Sequence, residues 1–143
     1  MTKAQLSPLK LPRTYLMSES INILYVEDNE GDVELMRMSL DRYCASLNIV
    51  LDVVETVAEA KVIFQHGKHV IALIDWNLPD GEGIDVLKFI REKHEELPVF
   101  LLSGVITADH IKATEKYKPT ACLEKDYGKP FFSALEKCIL SIN

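Results

Sequence analysis

The feature that most constrains this chain is a run of five apolar residues that ends in an aspartate. Residues 70–74 are all apolar, Asp75 follows directly, and a turn with one proline and two glycines comes next. A short apolar run between turn residues is typical of a strand buried on both faces, as in a parallel sheet. Asp75 then ends a strand, where open α/β sheets bind their ligands. From this stretch alone, Asp75 could equally well be an ordinary residue that begins a turn.

The same alternation of strand and helix continues from residue 21 to the end of the chain. Apolar residues at three- and four-residue steps predict five helices, and Thr56 with Glu59 forms a capping box for the second, which we expect to end near Gly67. Thr107 can cap the fourth helix, and residues 29–32 are predicted to be a loop. The predicted strands are residues 21–26, 49–54, 70–75, 99–102 and 121–123. This order predicts a parallel sheet with helices on both faces.

Length and composition indicate one globular domain of ordinary size, with 143 residues of which 48% are hydrophobic. The net charge of −6 disfavours non-specific binding to nucleic acid or to an anionic membrane. We see no apolar run close to the roughly 20 residues of a membrane span. Three cysteines without metal-type spacing, Cys44, Cys122 and Cys138, indicate reduced thiols in a cytoplasmic protein.

The first 20 residues differ from the rest of the chain. Pro8 and Pro12 break any helix, and the segment has no clear period. We therefore expect an N-terminal extension over residues 1–20 and a single domain over residues 21–143. The extension fits either a flexible arm or a segment packed on the domain or a neighbour, and Met17 is an alternative start.

Polar side chains follow four of the five predicted strands. Glu27 and Asp28 follow the first strand, Asp75 ends the third, Ser103 follows the fourth, and Lys125 lies just past the fifth. Because the carboxyl ends of parallel strands lie along one edge of the sheet, we expect these side chains to converge. The convergence favours a functional Asp75 over a turn residue.

Three carboxylates at one place need a cation or a raised pKa. Two carboxylates about 4 Å apart repel by roughly 1 kcal/mol in water and by about 4 kcal/mol at an effective dielectric near 20. An all-oxygen site suits Mg²⁺, especially where phosphate supplies further ligands. Lys125 could then pair with one phosphoryl oxygen and Ser103 could donate to another. An aspartate nucleophile forms an acyl phosphate, so Asp75 is the predicted phosphoryl acceptor.

Taken together, these motifs closely resemble the receiver domain of two-component response regulators. The resemblance covers about residues 21–142 and rests on residues 24–29, 74–81 and 101–104, with Lys125 or Lys129-Pro130-Phe131. It implies an α/β, flavodoxin-like, doubly wound fold. The sheet would have five parallel strands in the order 2-1-3-4-5, with five helices.

The resemblance also implies a phosphoacceptor signalling domain rather than an enzyme, although such a domain promotes its own phosphoryl transfer and dephosphorylation. Asp75 would take the phosphoryl group from a histidine-kinase phosphohistidine, and the domain would signal by a conformational change. Mg²⁺ would be held by Glu27, Asp28, Asp75 and the backbone carbonyl of Asn77. The segment from Glu27 to residue 30 is similar to stand-alone receivers that are often paired with phytochrome-type or other sensor kinases.

The implied partners are a sensor histidine kinase or phosphotransfer protein upstream and an unidentified protein target downstream. A homodimer is compatible with the resemblance. Direct binding to nucleic acid or to a membrane is not expected, and the expected location is cytoplasmic.

The lysine departs from the family's pattern, in which it normally precedes a proline. Lys125 precedes Asp126, whereas Lys129 precedes Pro130. The usual spacing from Ser103 and the position directly after the fifth strand favour Lys125 over Lys129.

The residues that would transmit or end the signal also depart from the pattern. Cys122 stands where many members carry an aromatic residue that moves inward on phosphorylation, and Tyr127 is near but offset. Val105 offers no hydrogen bond beside the path of a hydrolytic water, which predicts slow autodephosphorylation. Trp76 is predicted to be partly exposed. All four histidines are predicted to be surface residues: His66, His69, His94 and His110.

Three other functions compete with this interpretation. A pseudo-receiver would keep the fold as a protein-interaction module without phosphorylation, but the intact set of site residues disfavours it. A haloacid-dehalogenase-type phosphatase needs a second aspartate at the position of Asn77. A flavin or nucleotide binder needs a first loop rich in Gly or Ser/Thr, whereas residues 27–30 are largely acidic.

Overall fold

The computed structural model describes residues 20–64 and 68–142, where strands and helices alternate as predicted. The five long strands are β1 (Ile21–Val26), β2 (Ile49–Val54), β3 (His69–Asp75), β4 (Val99–Ser103) and β5 (Ala121–Glu124). The helices are α1 (Glu30–Tyr43), α2 (Val57–Ile63), α3 (Gly83–Lys93), α4 (Ala108–Thr114) and α5 (Lys129–Leu140). A 3-10 turn, Glu115–Tyr117, extends α4, and Asn77–Leu78 pairs with Gly81–Glu82 in a small hairpin after β3. The predicted N-terminal extension, residues 1–20, falls almost wholly outside the described residues.

The five long strands form one parallel sheet in the order β2-β1-β3-β4-β5. This confirms the predicted flavodoxin-like order. The chain runs outward from β1 to β2 and then crosses to the other side of β1 to form β3. The carboxyl ends of β1 and β3 therefore flank the point where the strand order reverses, which is where such sheets form a crevice.

Helices cover both faces of the sheet, and successive residues of β1 face opposite cores. Tyr25 lies in one core with Met36 of α1 and Phe132 of α5, whereas Leu24 lies in the other core with Leu87 of α3. All five side chains are fully buried. Burying one aliphatic side chain contributes about 1.5–3 kcal/mol, so these two cores hold the strand ends in place.

The loop predicted at residues 29–32 is wrong, because α1 already begins at Glu30. Asn29 is the N-cap, and its side-chain oxygen accepts a hydrogen bond of 2.9 Å from the backbone N–H of Asp32. Asparagine is among the best N-cap residues, and acidic residues in the first turn stabilise the positive end of the helix dipole. The first turn of α1 therefore lies directly beside the end of β1.

The second helix begins as predicted but ends early. Thr56 Oγ1 accepts a hydrogen bond of 3.0 Å from the Glu59 N–H, as the capping box requires. The Glu59 carboxylate, however, accepts a hydrogen bond from the N–H of Glu55 and not from that of Thr56. The helix ends at Ile63, not near Gly67, and Gly67 itself lies outside the described residues.

His69 corrects the prediction that all four histidines are surface residues. It begins β3, is only 1% exposed, and stacks on Phe64. Its Nε2 atom lies 2.7 Å from Oδ2 of Asp52 on β2. A carboxylate partner satisfies an imidazole that would be costly to bury alone, so His69 belongs to the interior.

Trp76 is also less accessible than predicted, with 5% exposure. Its ring packs against His110 of α4 at a centroid distance of 4.4 Å, which covers the indole and leaves His110 half-buried. His94 is half-buried too, and His66 lies outside the described residues.

Asp52→Asn should lower the free energy of unfolding at pH 7. Burial alone would raise the pKa of Asp52, but hydrogen bonds from His69 and Lys68 outweigh burial and hold that pKa below its usual range. The side chain is 25% exposed, so solvent screening limits the expected loss to about 1 kcal/mol. Urea unfolding of the two proteins measures it.

The same pair should show a defined pH dependence. The Asp52 carboxyl has a lower pKa in the folded protein than in the unfolded chain, so the folded state binds fewer protons. The stabilisation that the ion pair provides is therefore lost as the pH falls below about 4. The difference between wild type and Asp52→Asn should therefore shrink on acidification. A difference that grew toward acid would contradict the assigned ion pair.

Candidate functional site

The predicted site residues lie at the carboxyl ends of β1, β3, β4 and β5, where hydrogen bonds to the sheet still hold the backbone. The N–H of Glu27 donates to the Val54 carbonyl at 2.9 Å, and the N–H of Lys125 donates to the Ser103 carbonyl at 2.8 Å. Asp75 is the last residue of β3. The parallel ladder thus extends one residue past β1 and β5, and the side chains project from fixed positions.

Gly83 fixes the backbone at the end of β3. A Cβ atom at Gly83 would lie 2.4 Å from the carbonyl oxygen of Asp75, so only glycine fits without a shift. The Gly83 N–H donates to the Trp76 carbonyl at 2.7 Å. The sequence showed this residue only as a second glycine in the turn, and its close approach to Asp75 could not be foreseen.

Lys125 is the centre of the cluster. Its Nζ atom lies 2.8 Å from Oε1 of Glu27, 3.0 Å from Oδ2 of Asp32 and 3.1 Å from Oδ1 of Asp75. Lys129, the alternative, is exposed at the first residue of α5. The geometry therefore makes Lys125 the partner of Asp75.

Asp32 is the residue that sequence reasoning missed. It was assigned to a loop, yet the early start of α1 brings its carboxylate to Lys125. The available signal was the spacing from Asn29: a residue three positions after an asparagine N-cap lies in the first helical turn. That turn abuts the sheet edge to which the other site residues belong.

Burial and charge shift the titration of this cluster. Burial raises the pKa of Glu27 to about 7, the Asp75 carboxylate pushes it the same way, and the Lys125 ammonium and the Asn29 N–H only partly offset this. For Lys125, burial lowers the pKa, but hydrogen bonds to Glu27 and Asp32 outweigh it and hold the pKa above its usual range. The ammonium thus stays charged among the carboxylates.

Three carboxylates lie close enough together to share one cation. Oxygen atoms of Glu27, Asp28 and Asp75 all lie within 4.8 Å of one another. Glu27 and Asp75 are buried, and Asp28 is exposed. A donor set made only of carboxylate oxygens, open to solvent on one side, fits Mg²⁺, which keeps several waters. Asn77 begins the hairpin next to Asp75, and its carbonyl remains a predicted ligand.

Ser103 ends β4, Cys122 lies within β5, and Tyr127 follows β5. Ser103 is buried at the end of β4, with 5% exposure. Cys122 is half-buried, and its Sγ atom lies 3.6 Å from Oγ1 of Thr114 in α4. Tyr127 is half-buried in a left-handed conformation with φ of 51°, and burial raises the pKa of its hydroxyl.

Comparison with known proteins identifies the family. The response regulator receiver domain family matches residues 23–133. The non-phosphorylated HemR receiver domain from Leptospira biflexa is 26% identical, with a TM-score of 0.74, covering 86% of this chain and 96% of that one. Across residues 20–64 and 68–142, we find no helix long and apolar enough to cross a membrane.

Two curated relatives are longer proteins. The photosynthetic apparatus regulatory protein RegA of Cereibacter sphaeroides is 29% identical over 83 residues, 58% of this chain and 43% of RegA. The aerobic respiration control sensor protein ArcB of Escherichia coli is 30% identical over 123 residues, 82% of this chain and 15% of ArcB. The chain thus spans less than half the length of either relative.

Asp28→Asn should stabilise the metal-free protein. The substitution removes one of three crowded carboxylates, and relief of the repulsion is worth on the order of 1 kcal/mol. Mg²⁺ should shrink the difference in melting temperature, because only the wild type gains the full binding energy. A metal-free variant that melts below wild type, or a difference unaffected by Mg²⁺, would contradict the crowded-carboxylate account.

Proposed function

The chain belongs to the response regulator receiver domain family, and from that premise we propose that Asp75 accepts a phosphoryl group from a phosphohistidine. Receiver domains are phosphoacceptor signalling domains of two-component systems. One observation carries the assignment to Asp75: the residue is 6% exposed, and its carboxylate pairs with Lys125 at 3.1 Å and lies in an oxygen cluster with Glu27 and Asp28.

In the proposed step, a carboxylate oxygen of Asp75 attacks the phosphorus atom of the donor. The phosphorus–nitrogen bond to the donor histidine breaks as the phosphorus–oxygen bond forms, and the imidazole leaves. The Lys125 ammonium, already 3.1 Å from Asp75, supplies a positive charge to one phosphoryl oxygen. The hydroxyl of Ser103, at the end of β4, donates a hydrogen bond to another phosphoryl oxygen.

Receiver domains generally bind Mg²⁺ at an acidic site, and we propose Glu27, Asp28, Asp75 and the Asn77 carbonyl as its ligands here. When bound, Mg²⁺ would neutralise negative charge on the phosphoryl oxygens during transfer. The protein's part is to hold the three carboxylates in place. The Glu27 carboxylate is held in place by the Asn29 N–H, which donates a hydrogen bond of 3.1 Å to its Oε2 atom.

Receiver domains interact with histidine kinases or phosphotransfer proteins and with downstream effectors. For this chain we propose a sensor kinase or phosphotransfer protein as the phosphoryl donor and a protein target to which the domain docks.

We also propose a cytoplasmic location, because a reducing compartment fits the three free cysteines of the chain. Val105, apolar and 64% exposed, supports the proposal of slow autodephosphorylation because it cannot orient a water.

Asp75→Asn should abolish covalent labelling. With Mg²⁺ and acetyl phosphate, wild type should gain one phosphoryl group on intact-protein mass spectrometry, and the variant should gain none because an amide is not a nucleophile. Asp109→Asn, an exposed aspartate in α4, is the matched control and should label fully. Labelling of Asp75→Asn would contradict the assignment. A wild type that stays unlabelled with acetyl phosphate and with phosphorylated kinases would favour the pseudo-receiver alternative.

Lys125→Ala and Lys129→Ala should behave differently. Loss of Lys125 removes the cation beside Asp75, so labelling should persist at a reduced rate while the phosphorylation-induced change in amide NMR shifts disappears. Lys129 is exposed, and its loss should leave both nearly intact. The reverse pattern would show that the lysine before the proline is the functional one.

A further inference from the structure

Asp32 lies outside the candidate metal set yet contacts the lysine on which that set depends. An ammonium group has three N–H donors. Three carboxylates surround that of Lys125, at 2.8 Å (Glu27), 3.0 Å (Asp32) and 3.1 Å (Asp75). The side chain of Lys125 is 13% exposed, so its head group is held mainly by these three partners. The contact with Asp32 also has the geometry of a hydrogen bond, whereas the contacts with Glu27 and Asp75 are ion pairs.

The three contacts differ in what phosphorylation does to them. Asp75 is the proposed acceptor, so its contact with Lys125 must give way to a contact with the phosphoryl group. Glu27 shares its carboxylate between Lys125 and the candidate metal set. Asp32 is the one partner among the three with neither task, and its contact can persist unchanged through the reaction.

The position of Asp32 is itself fixed by the residue that fixes Glu27. The Asn29 side chain accepts from the Asp32 N–H at 2.9 Å, while the Asn29 N–H donates to Oε2 of Glu27 at 3.1 Å. Both anchors of the ammonium are therefore tied to one N-cap. A lysine on a flexible four-carbon stem needs such anchors to keep a single geometry.

We propose that Asp32 is a positioning residue, which holds the Lys125 ammonium beside Asp75 and so sets the rate of phosphoryl transfer. The inference rests on the proposed function, and Asp32 acts only through Lys125. Without it, Glu27 alone would hold the ammonium once Asp75 is phosphorylated, and Lys125 would spend much of its time away from the phosphoryl oxygens.

The test is a double-mutant cycle on the initial rate of labelling by acetyl phosphate at saturating Mg²⁺. Asp32→Ala should slow labelling several-fold, and Asp32→Asn, which keeps an acceptor oxygen, should lie between Ala and wild type. In the Lys125→Ala background, adding Asp32→Ala should change nothing further, because the anchored group is gone. The control is Glu30→Ala, which removes an exposed acidic residue in the same turn and should match wild type.

A merely structural role would show as a lowered melting temperature with an unchanged rate in folded protein, and that result overturns the inference. So does a faster rate in Asp32→Ala or Asp32→Asn, which would mean that Asp32 only repels the donor. An equal loss with and without Lys125 overturns it as well. If Asp32→Ala does not fold, the rate of Asp32→Asn decides. Failure of wild type to label with acetyl phosphate and also with phosphorylated kinases defeats the proposed function itself, whereas normal labelling of every Asp32 variant defeats this inference alone.

Discussion

The site depends on one half-buried cation, the Lys125 ammonium, which holds several anions together. Glu27, Asp32 and Asp75 lie within ion-pair distance of the Lys125 ammonium, and Asp28 adds a fourth carboxylate at the edge. At an effective dielectric near 20, each close pair of like charges costs a few kcal/mol, so this arrangement could not persist without a central positive charge. Burial, together with the neighbouring Asp75 carboxylate, raises the pKa of Glu27 to about 7, and Lys125 offsets this only in part. The residual negative charge suits a divalent cation.

The sheet makes this cluster possible because it brings distant parts of the chain to one edge. Hydrogen bonds continue the ladder past the ends of β1 and β5, and Gly83 lets α3 start against the Asp75 carbonyl. The backbone positions from which the charged side chains project are therefore fixed. Preorganised charge of this kind is what phosphoryl transfer requires, since the protein contributes mainly position and electrostatics.

The sequence predicted those features that follow from local pattern and topology. Apolar runs located the five strands, and parallel topology then placed Asp75, Glu27 and Lys125 at one edge. Strand alternation cannot reveal a side chain's partner in another element, and the misses have that origin. His69 can be buried because its ring forms a hydrogen bond with the carboxylate of Asp52 on β2. Trp76 is covered by the ring of His110 in α4. Asp32 entered the site because an N-cap moved the start of α1 by a few residues.

The central claim is that the phosphoryl group is carried as an acyl phosphate on Asp75. Borohydride reduces an aspartyl phosphate to homoserine, and tandem mass spectrometry of the digested protein locates that residue. After phosphorylation by a kinase or acetyl phosphate, the account predicts homoserine at position 75, in the peptide that spans the end of β3. Homoserine at another aspartate, or a phosphate that survives borohydride on a histidine or hydroxyl side chain, would contradict it.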